Sequence, residues 1–161
     1  MKVIKSLIPY VVIILAVILI RTFIITPVQV EGRSMAPTLE DNQILLLSKY
    51  KKNYKRFDIV VIDDGNEKLI KRIIGLPGET LEVKDNKLYI DGKYVKEDFE
   101  HDDTEDFVYN DKKEIPEGYY FVMGDNRDNS MDSRVFGAFS KDQILGVTTF
   151  SIFPFQTFGS I

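Results

Sequence analysis

The chain has 161 residues, of which 44% are hydrophobic, enough for one compact domain and a short additional segment. It contains no cysteine and a single histidine, His101, which excludes a disulfide framework, a thiol nucleophile, Cys-ligated zinc and any metal site that needs several histidines. The formal net charge is −4, and no basic patch with interleaved aromatic residues is present, so nucleic acid is not an expected partner.

The first 26 residues differ in composition from the rest of the chain. Their charged side chains are all basic and contribute +3, whereas the remaining residues carry −7. Residues 7–20 are uncharged and apolar, and the apolar residues beyond Arg21 extend this run to roughly the 20 residues that a membrane-spanning helix needs. Pro9 falls in the first turn of the run, where proline is tolerated. The composition therefore predicts a membrane-spanning helix.

This helix sets the predicted topology. Lysines 2 and 5 favour a cytoplasmic N-terminus. We expect a cytoplasmic segment at 1–6, a transmembrane signal anchor at 7–26 and an extracytoplasmic domain at 27–161. The alternative is a cleaved signal peptide, but the residues after the apolar run offer no small-x-small cleavage site. The lipid bilayer is therefore an expected partner, and the expected location is the cell membrane.

The domain that follows is predicted to be mostly β, an antiparallel sheet preceded by the single helix. Short runs rich in β-branched residues alternate with Gly and Pro turn signals, and no long amphipathic helix is present. The segment 87–95 predicts a β-hairpin with a type I′ turn at Asp91-Gly92. The other predicted strands begin near Val28 and cover 43–47, 58–62, 68–74, 119–123 and 144–153.

Two further segments have unusual compositions. Residues 97–114 hold nine carboxylates against two lysines, and we expect a solvated loop with no catalytic part for His101. The C-terminal run 150–161 is rich in phenylalanine. In one interpretation it is a closing strand whose Phe150 and Ile152 join the core. In the other, an exposed patch rests on the bilayer; it would consist of Phe153, Phe155 and Phe158.

Three segments could carry chemistry: EGRSMAPTL at 31–39, LIKRIIGLPG at 69–78 and GDNRDNSMDSRVFG at 124–137. Taken singly, each has an ordinary interpretation as a turn, a solvated strand or a loop. The third segment does not fit a calcium-binding EF-hand, because Ser130 stands where glycine is required and Phe136 where glutamate is required. No phosphate-binding or dinucleotide-binding glycine pattern is present, so no cofactor and no metal are expected.

Together, in this order and after an N-terminal anchor, the three segments resemble the conserved boxes of the type I signal peptidases, in the short form of Gram-positive bacteria. The resemblance spans nearly the whole chain. It implies a membrane-bound serine endopeptidase that removes signal peptides from exported preproteins through an acyl-enzyme. Ser34 would be the nucleophile and Lys71 the general base. Ser130 would hydrogen-bond to the lysine and orient it. Asp132 and Arg134 would form a supporting ion pair that can include Arg72.

The chemistry agrees with this resemblance. A serine hydroxyl needs a neighbouring base before it can attack a peptide carbonyl. A neutral lysine can be that base if burial lowers its pKa, and Lys71 lies within an apolar segment. Periodicity alone does not choose between Lys71 and Lys68; the resemblance makes that choice. Gly32 stands where some family members have a hydroxyl that helps to form the oxyanion hole, so we expect a backbone donor, foremost the Ser34 N–H.

The resemblance also implies how a substrate binds. The strands that lead to Ser34 and to Lys71 would pair with an extended peptide, as in β-augmentation. Five apolar residues would wall shallow pockets for small side chains: Val28, Val30, Met35, Leu39 and Ile70. The alternative is ordinary core packing.

Three other functions are alternatives for such a sequence. A self-cleaving repressor should carry a helix-turn-helix or a self-cleavage segment, and the sequence has neither. An inner-membrane peptidase of organelles is a closer alternative, but the 126–130 stretch fits the bacterial form better. An inactive, anchored β domain that only binds exported chains should have lost one of the two reactive residues, yet both are present.

Overall fold

The computed structural model describes residues 2–50 and 53–161, with side chains from residue 7 onward. A helix, α1, runs from Lys2 to Phe23. The sequence analysis placed Pro9 in the first turn of the helix. Because α1 begins ahead of the apolar run, Pro9 instead lies in the helix interior. The predicted cytoplasmic segment 1–6 lies outside the residues whose side chains are described.

No helix within residues 2–50 and 53–161 is both long enough and apolar enough to cross a membrane, so the predicted transmembrane helix is not found. The segment 7–26 comprises most of α1, a turn residue and the start of the first strand. Two side chains supply donors to the last carbonyls of α1, which an ending helix leaves unpaired. Thr26 Oγ1 donates to the carbonyl of Arg21 at 2.7 Å, and Lys49 Nζ to that of Thr22 at 3.2 Å.

The prediction of a mostly β, antiparallel domain is confirmed. Eight strands of the described chain form the larger sheet. In chain order they are β1 (Ile25–Gln29), β2 (Ile44–Ser48), β3 (Ile59–Asp63), β4 (Lys68–Gly75), β9 (Tyr119–Met123), β10 (Phe139–Ser140), β11 (Ile144–Phe153) and β12 (Gly159–Ser160). Their order across the sheet is β1-β2-β11-β3-β4-β9-β10, with β12 beside β11.

A smaller sheet of four strands lies between β4 and β9 in the chain. It consists of β5 (Leu81–Lys84), β6 (Lys87–Ile90), β7 (Lys93–Val95) and β8 (Phe107–Val108), in the order β7-β6-β5-β8. The hairpin between β6 and β7 is confirmed: Asp91 and Gly92 have φ of +50° and +72°, the left-handed values that a type I′ turn needs at both central residues.

The acidic segment 97–114 is not the freely solvated loop that its composition predicted. Its strand β8 pairs with β5, and its aromatic side chains pack against a buried cluster that includes Leu81, Leu88 and Phe121. Those aromatic residues are Phe99, Phe107 and Tyr109. The carboxylates dominate the composition of this segment, but the interspersed aromatic residues determine where it lies.

The C-terminal run combines both predicted arrangements. Phe150 and Ile152 are half-buried within β11. Phe153, Phe155 and Phe158 are 48%, 80% and 60% exposed. The strand therefore lies inside the sheet, between β2 and β3, and the three phenylalanines at its end and just beyond it are exposed.

Candidate active site

Ser34 lies in the turn that follows β1, and buried neighbours fix the position of this turn. Met35 and Leu39 are almost completely buried, and the Leu39 N–H donates to the Met35 carbonyl at 2.9 Å. Ahead of the turn, the Gly32 N–H donates to the carboxylate of Asp41 at 2.8 Å. The anchored turn leaves the Ser34 side chain half-buried at the wall of a cleft.

Lys71 reaches the Ser34 hydroxyl from the middle of β4. Lys71 Nζ and Ser34 Oγ are 2.7 Å apart, within hydrogen-bonding distance. The backbone of Lys71 is held in register by Val60 of β3. Lys71 is only 3% exposed, whereas Lys68 on the same strand is exposed to solvent. The structure therefore separates the two lysines that periodicity could not, and it brings Lys71 to the serine.

Burial changes the acid–base behaviour of Lys71. Removal of water from around the ammonium group lowers the pKa of Lys71, because burial penalises the charged form. The carboxylates of Asp132 and Glu67 act in the opposite direction but do not cancel this effect. The shift favours the neutral amine, which is the form that can accept a proton from a serine hydroxyl.

Asp132 and Arg134 form the predicted ion pair. Arg134 donates to both oxygens of the Asp132 carboxylate, from Nε at 2.9 Å and from Nη2 at 2.8 Å. The Gly124 N–H adds a third hydrogen bond at 2.9 Å. Burial alone would raise the pKa of the Asp132 carboxyl, but these hydrogen bonds outweigh burial and hold the pKa below its ordinary value. The carboxylate therefore stays charged and ties the loop that carries it to the end of β9.

Ser130 does not form the bond to Lys71 that the resemblance implied. It lies close to the Asp132 carboxylate, but its hydroxyl oxygen is buried without a hydrogen-bond partner of normal geometry among the described residues. Both Ser130 and Lys71 line the same cleft. The Ser130 residue therefore lines the cleft, while its hydroxyl oxygen is buried beside Asp132.

Arg72 pairs with Asp125 and not with the Asp132–Arg134 pair, which corrects the sequence prediction. Its Nε and Nη2 donate to the two oxygens of Asp125 at 2.8 and 2.6 Å, and both side chains are buried. The reason is register: Arg72 lies opposite Met123 of β9, two residues before Asp125. Sequence reasoning did not single out Asp125, although it lies inside the quoted motif at 124–137.

The loop after β9 also contacts Ser34 directly. The Asn126 N–H donates to the carbonyl oxygen of Ser34 at 3.1 Å. Gly124 packs so closely that a Cβ atom at this position would lie 2.3 Å from that same carbonyl oxygen and 2.3 Å from Ser130 Oγ. Glycine is therefore required here by the close approach of the two backbones.

The cleft that contains Ser34 and Lys71 has a volume of about 1150 Å³. Strand β1 and the turn after it form one wall, and the β3–β4 hairpin and residues 128–131 form the rest. Within the described chain, β4 pairs with β3 over Lys68–Arg72 but with β9 only from Arg72 onward. The backbone of residues 68–71 thus has one free edge that borders the cleft.

Four of the five predicted pocket residues line this cleft: Val28, Val30, Met35 and Ile70. The fifth, Leu39, does not line it and is fully buried in the cluster beneath, which corrects the prediction. The four lining residues also pack in or against that cluster, so the cleft wall and the core share the same side chains. In residues 2–50 and 53–161, no group of three His, Asp or Glu side chains could hold a metal ion.

Comparison with known proteins identifies the family. The family model described as "Signal peptidase, peptidase S26" matches residues 2–153. The chain belongs to this family of proteases.

The chain is similar to several bacterial signal peptidases. It is 44% identical over 154 residues to signal peptidase I of Bacillus amyloliquefaciens, covering 86% of this chain and 82% of that protein. It is 43% identical over 165 residues to signal peptidase I T of Bacillus subtilis strain 168, covering 89% and 81%. The crystal structure of a signal peptidase I from Enterococcus faecalis V583 is 38% identical with a TM-score of 0.53, and the match covers 59% of this chain and 96% of that one.

Proposed function

We propose that this protein is an endopeptidase that removes N-terminal signal peptides from exported preproteins by a Ser34–Lys71 dyad. The observation that carries the proposal is the 2.7 Å separation of Lys71 Nζ and Ser34 Oγ, with the lysine buried and its pKa lowered. Membership of the signal peptidase family supports the substrate class.

The proposed reaction has two stages that share one base. The neutral Lys71 amine accepts the Ser34 hydroxyl proton as Oγ attacks the scissile carbonyl carbon. The resulting ammonium then donates this proton to the leaving amine, which breaks the C–N bond and leaves an ester on Ser34. In the second stage Lys71 takes a proton from water as the water oxygen attacks the ester carbon. The Lys71 ammonium then returns this proton to Ser34 Oγ as the ester C–O bond breaks, and the signal peptide leaves as a carboxylic acid that gives its proton to solvent.

The surrounding residues supply position and charge. We assign the Ser34 backbone N–H as one donor to the oxyanion that forms in each stage. The Asp132–Arg134 and Arg72–Asp125 pairs hold the loop and the strand on either side of the dyad. Ser130 lies beside the Asp132 carboxylate, and we assign it a supporting role in holding that carboxylate near Lys71.

The cleft suits an extended peptide. A peptide strand that enters beside residues 68–71 finds free backbone N–H and C=O groups on β4, the basis of β-augmentation. Its alternate side chains would then face Val28, Val30 and Ile70, which leave room for small groups. We therefore propose that the residues just before the cleaved bond bind here.

We also propose that the protein works at the cell membrane, with its domain outside. The apolar side chains of residues 7–20 are about half exposed, so α1 does not bury them against the domain. The exposed Phe153, Phe155 and Phe158 form a second apolar surface suited to a bilayer. Because the chain lacks cysteine, a single cysteine in place of the exposed Tyr94 reports the topology. A membrane-impermeant thiol reagent should label this cysteine in intact cells. Labelling only after lysis would show that the domain lies on the cytoplasmic side.

The decisive experiment is processing of a preprotein by the detergent-solubilised full chain and by Ser34→Ala. A methyl group cannot attack a carbonyl, so the rate should fall by about 10³-fold or more while the protein stays folded. The matched control is Ser160→Ala, since Ser160 is exposed at the C-terminus and should not affect the rate. A Ser34→Ala variant that keeps more than a few per cent of the rate would remove Ser34 as nucleophile.

A further inference from the structure

Residues 97–104 contact the loop Gly124–Asp132, which lies against the nucleophile. The Asp102 N–H donates to the Asp125 carbonyl at 3.1 Å. The Phe99 ring lies 4.0 Å from the guanidinium carbon of Arg72, the partner of Asp125. Although these residues are far from the loop in sequence and rich in carboxylates, they pack against the back of the active site.

The strongest of these contacts is made by Arg127, a loop residue that is 3% exposed. Its Nη2 donates to the Glu97 carboxylate at 2.5 Å, and its Nη1 donates to the Thr104 hydroxyl at 2.6 Å. Its Nε donates to the Gly124 carbonyl at 3.0 Å. Every nitrogen of the guanidinium is thus used, and the position of Arg127 depends on partners from segment 97–104.

The position of Arg127 in turn affects Ser34. Its neighbour Asn126 donates the backbone N–H that reaches the Ser34 carbonyl, 3.1 Å away. Gly124, which accepts from Arg127, is in close contact with the same carbonyl. A displacement of Arg127 would therefore be transmitted through one peptide bond to the backbone of the nucleophile.

We propose that Glu97 and Thr104 are positioning residues: through Arg127 they fix the loop that holds Ser34 in register with Lys71. This inference rests on the proposed function. It assigns a task to the acidic segment, which contributes no group that touches the dyad. The His101 Nε2 faces the second oxygen of Glu97 at 3.5 Å, and this longer contact makes His101 a secondary partner. The contact that positions the loop is therefore the one between the Glu97 carboxylate and Arg127.

The first test compares Glu97→Gln with Glu100→Gln, an exposed carboxylate of the same segment, in the full chain. Loss of the charge leaves Arg127 buried without its counter-ion, which shifts the loop. We expect kcat for preprotein cleavage to fall by about tenfold or more with KM within about twofold, because misplacement of a reacting group affects the chemical step. Glu100→Gln should keep the wild-type kcat. Glu97→Asp, which keeps the charge, should recover part of the loss.

The second test separates positioning from folding. The paired variant Glu97→Leu with Arg127→Met removes both charges, and such replacements commonly preserve stability. We expect its thermal midpoint to stay near wild type while kcat stays reduced by about tenfold. The milder Thr104→Val should lower kcat by about threefold at an unchanged midpoint, since only one hydrogen-bond acceptor is lost.

Two outcomes would overturn the inference. One is a wild-type kcat in the folded paired variant and in Thr104→Val. The other is a loss of kcat in Glu97→Gln that disappears when the assay temperature is lowered below its unfolding range. Failure of the proposed function itself is distinguishable, because Ser34→Ala would then retain activity whatever residue stands at 97.

Discussion

The Asn126 N–H donates a hydrogen bond to the carbonyl oxygen of Ser34, 3.1 Å away. The residue before it, Asp125, pairs with Arg72, which is the neighbour of Lys71 on β4. Two adjacent residues of one loop therefore hold the segment that carries Ser34 and the strand that carries Lys71. The distance between Ser34 and Lys71 depends on this dipeptide as well as on the two residues themselves.

The pH dependence of cleavage should report the Lys71 amine. Because burial lowers the pKa of Lys71, the rate should rise with pH and level off below the ordinary lysine value of 10.5. Lys71→Arg should be inactive, because guanidinium does not deprotonate in proteins. The matched control is Lys87→Arg at the exposed start of β6, outside the cleft, which should keep both the rate and the profile. An active Lys71→Arg variant would exclude this lysine as the base.

Replacement of Lys71 by methionine should raise the thermal stability of the protein while it abolishes cleavage. A lysine whose pKa is lowered in the folded state binds fewer protons there than in the unfolded chain, so wild-type stability falls as the pH drops from 10.5 towards the folded pKa. Methionine carries no such penalty. The thermal midpoint of Lys71→Met should therefore exceed that of wild type at pH 7, and the difference should shrink towards pH 10.5. A lower midpoint at pH 7 would show that the amine stabilises the fold.

Gly124→Ala should damage the active site by steric overlap. The added Cβ would lie 2.3 Å from the Ser34 carbonyl oxygen, so the loop and the nucleophile must move apart. We expect a loss of about 1–3 kcal/mol in the free energy of unfolding, as for other overpacked sites, and a fall in kcat of about a hundredfold.

Gly146→Ala is the control for Gly124→Ala. Its Cβ would lie 2.2 Å from the Ser48 carbonyl oxygen, a similar overlap between β11 and β2 that does not involve the dyad. Its stability should fall by a similar amount with a much smaller effect on kcat at a temperature where both variants are folded. Equal losses of kcat would show that Gly124 acts only through global stability.

His101→Ala should leave the cleavage rate within about threefold of wild type. The Arg127–Glu97 contact that positions the loop does not need the histidine ring. The ring contacts the Asp102 carbonyl through Nδ1 at 2.6 Å and Glu97 through Nε2 at 3.5 Å, and it does not line the cleft of Ser34. A loss of more than about a hundredfold would indicate a histidine-based mechanism instead.

The sequence was sufficient to predict the β class and the β6–β7 hairpin, because these features depend on local patterns: alternating apolar residues and an Asp-Gly turn. Only the resemblance predicted that the three motif segments meet at one site. The pairing of Ser34 with Lys71 came from the resemblance, since periodicity did not separate Lys71 from Lys68. Burial separates them, because Lys71 lies in the paired middle of β4 and Lys68 at its exposed start.

The features that the sequence did not predict depend on contacts between distant segments. Arg72 was expected near Asp132, but the β4–β9 register brings Asp125 to it. Leu39 was expected in a pocket, but the turn after Ser34 folds it beneath the cleft. Glu97 and Thr104 were hidden in an acidic run whose composition suggests solvent. The aromatic residues Phe99 and Phe107 in that run were a signal that the segment packs against the domain.

The one-sided pairing of β4 bears on when a preprotein can be cut. The free edge of residues 68–71 can hydrogen-bond only to a substrate backbone whose own N–H and C=O groups are not already hydrogen-bonded. In a helix the backbone N–H and C=O groups are already hydrogen-bonded within the helix, and in a folded sheet they are hydrogen-bonded to neighbouring strands. The cleft therefore admits only a stretch that is extended and unpaired at the moment of arrival. Under the proposed function, cleavage would compete in time with folding of the residues around the cut, so a precursor whose first residues fold rapidly should be processed slowly even when its side chains fit.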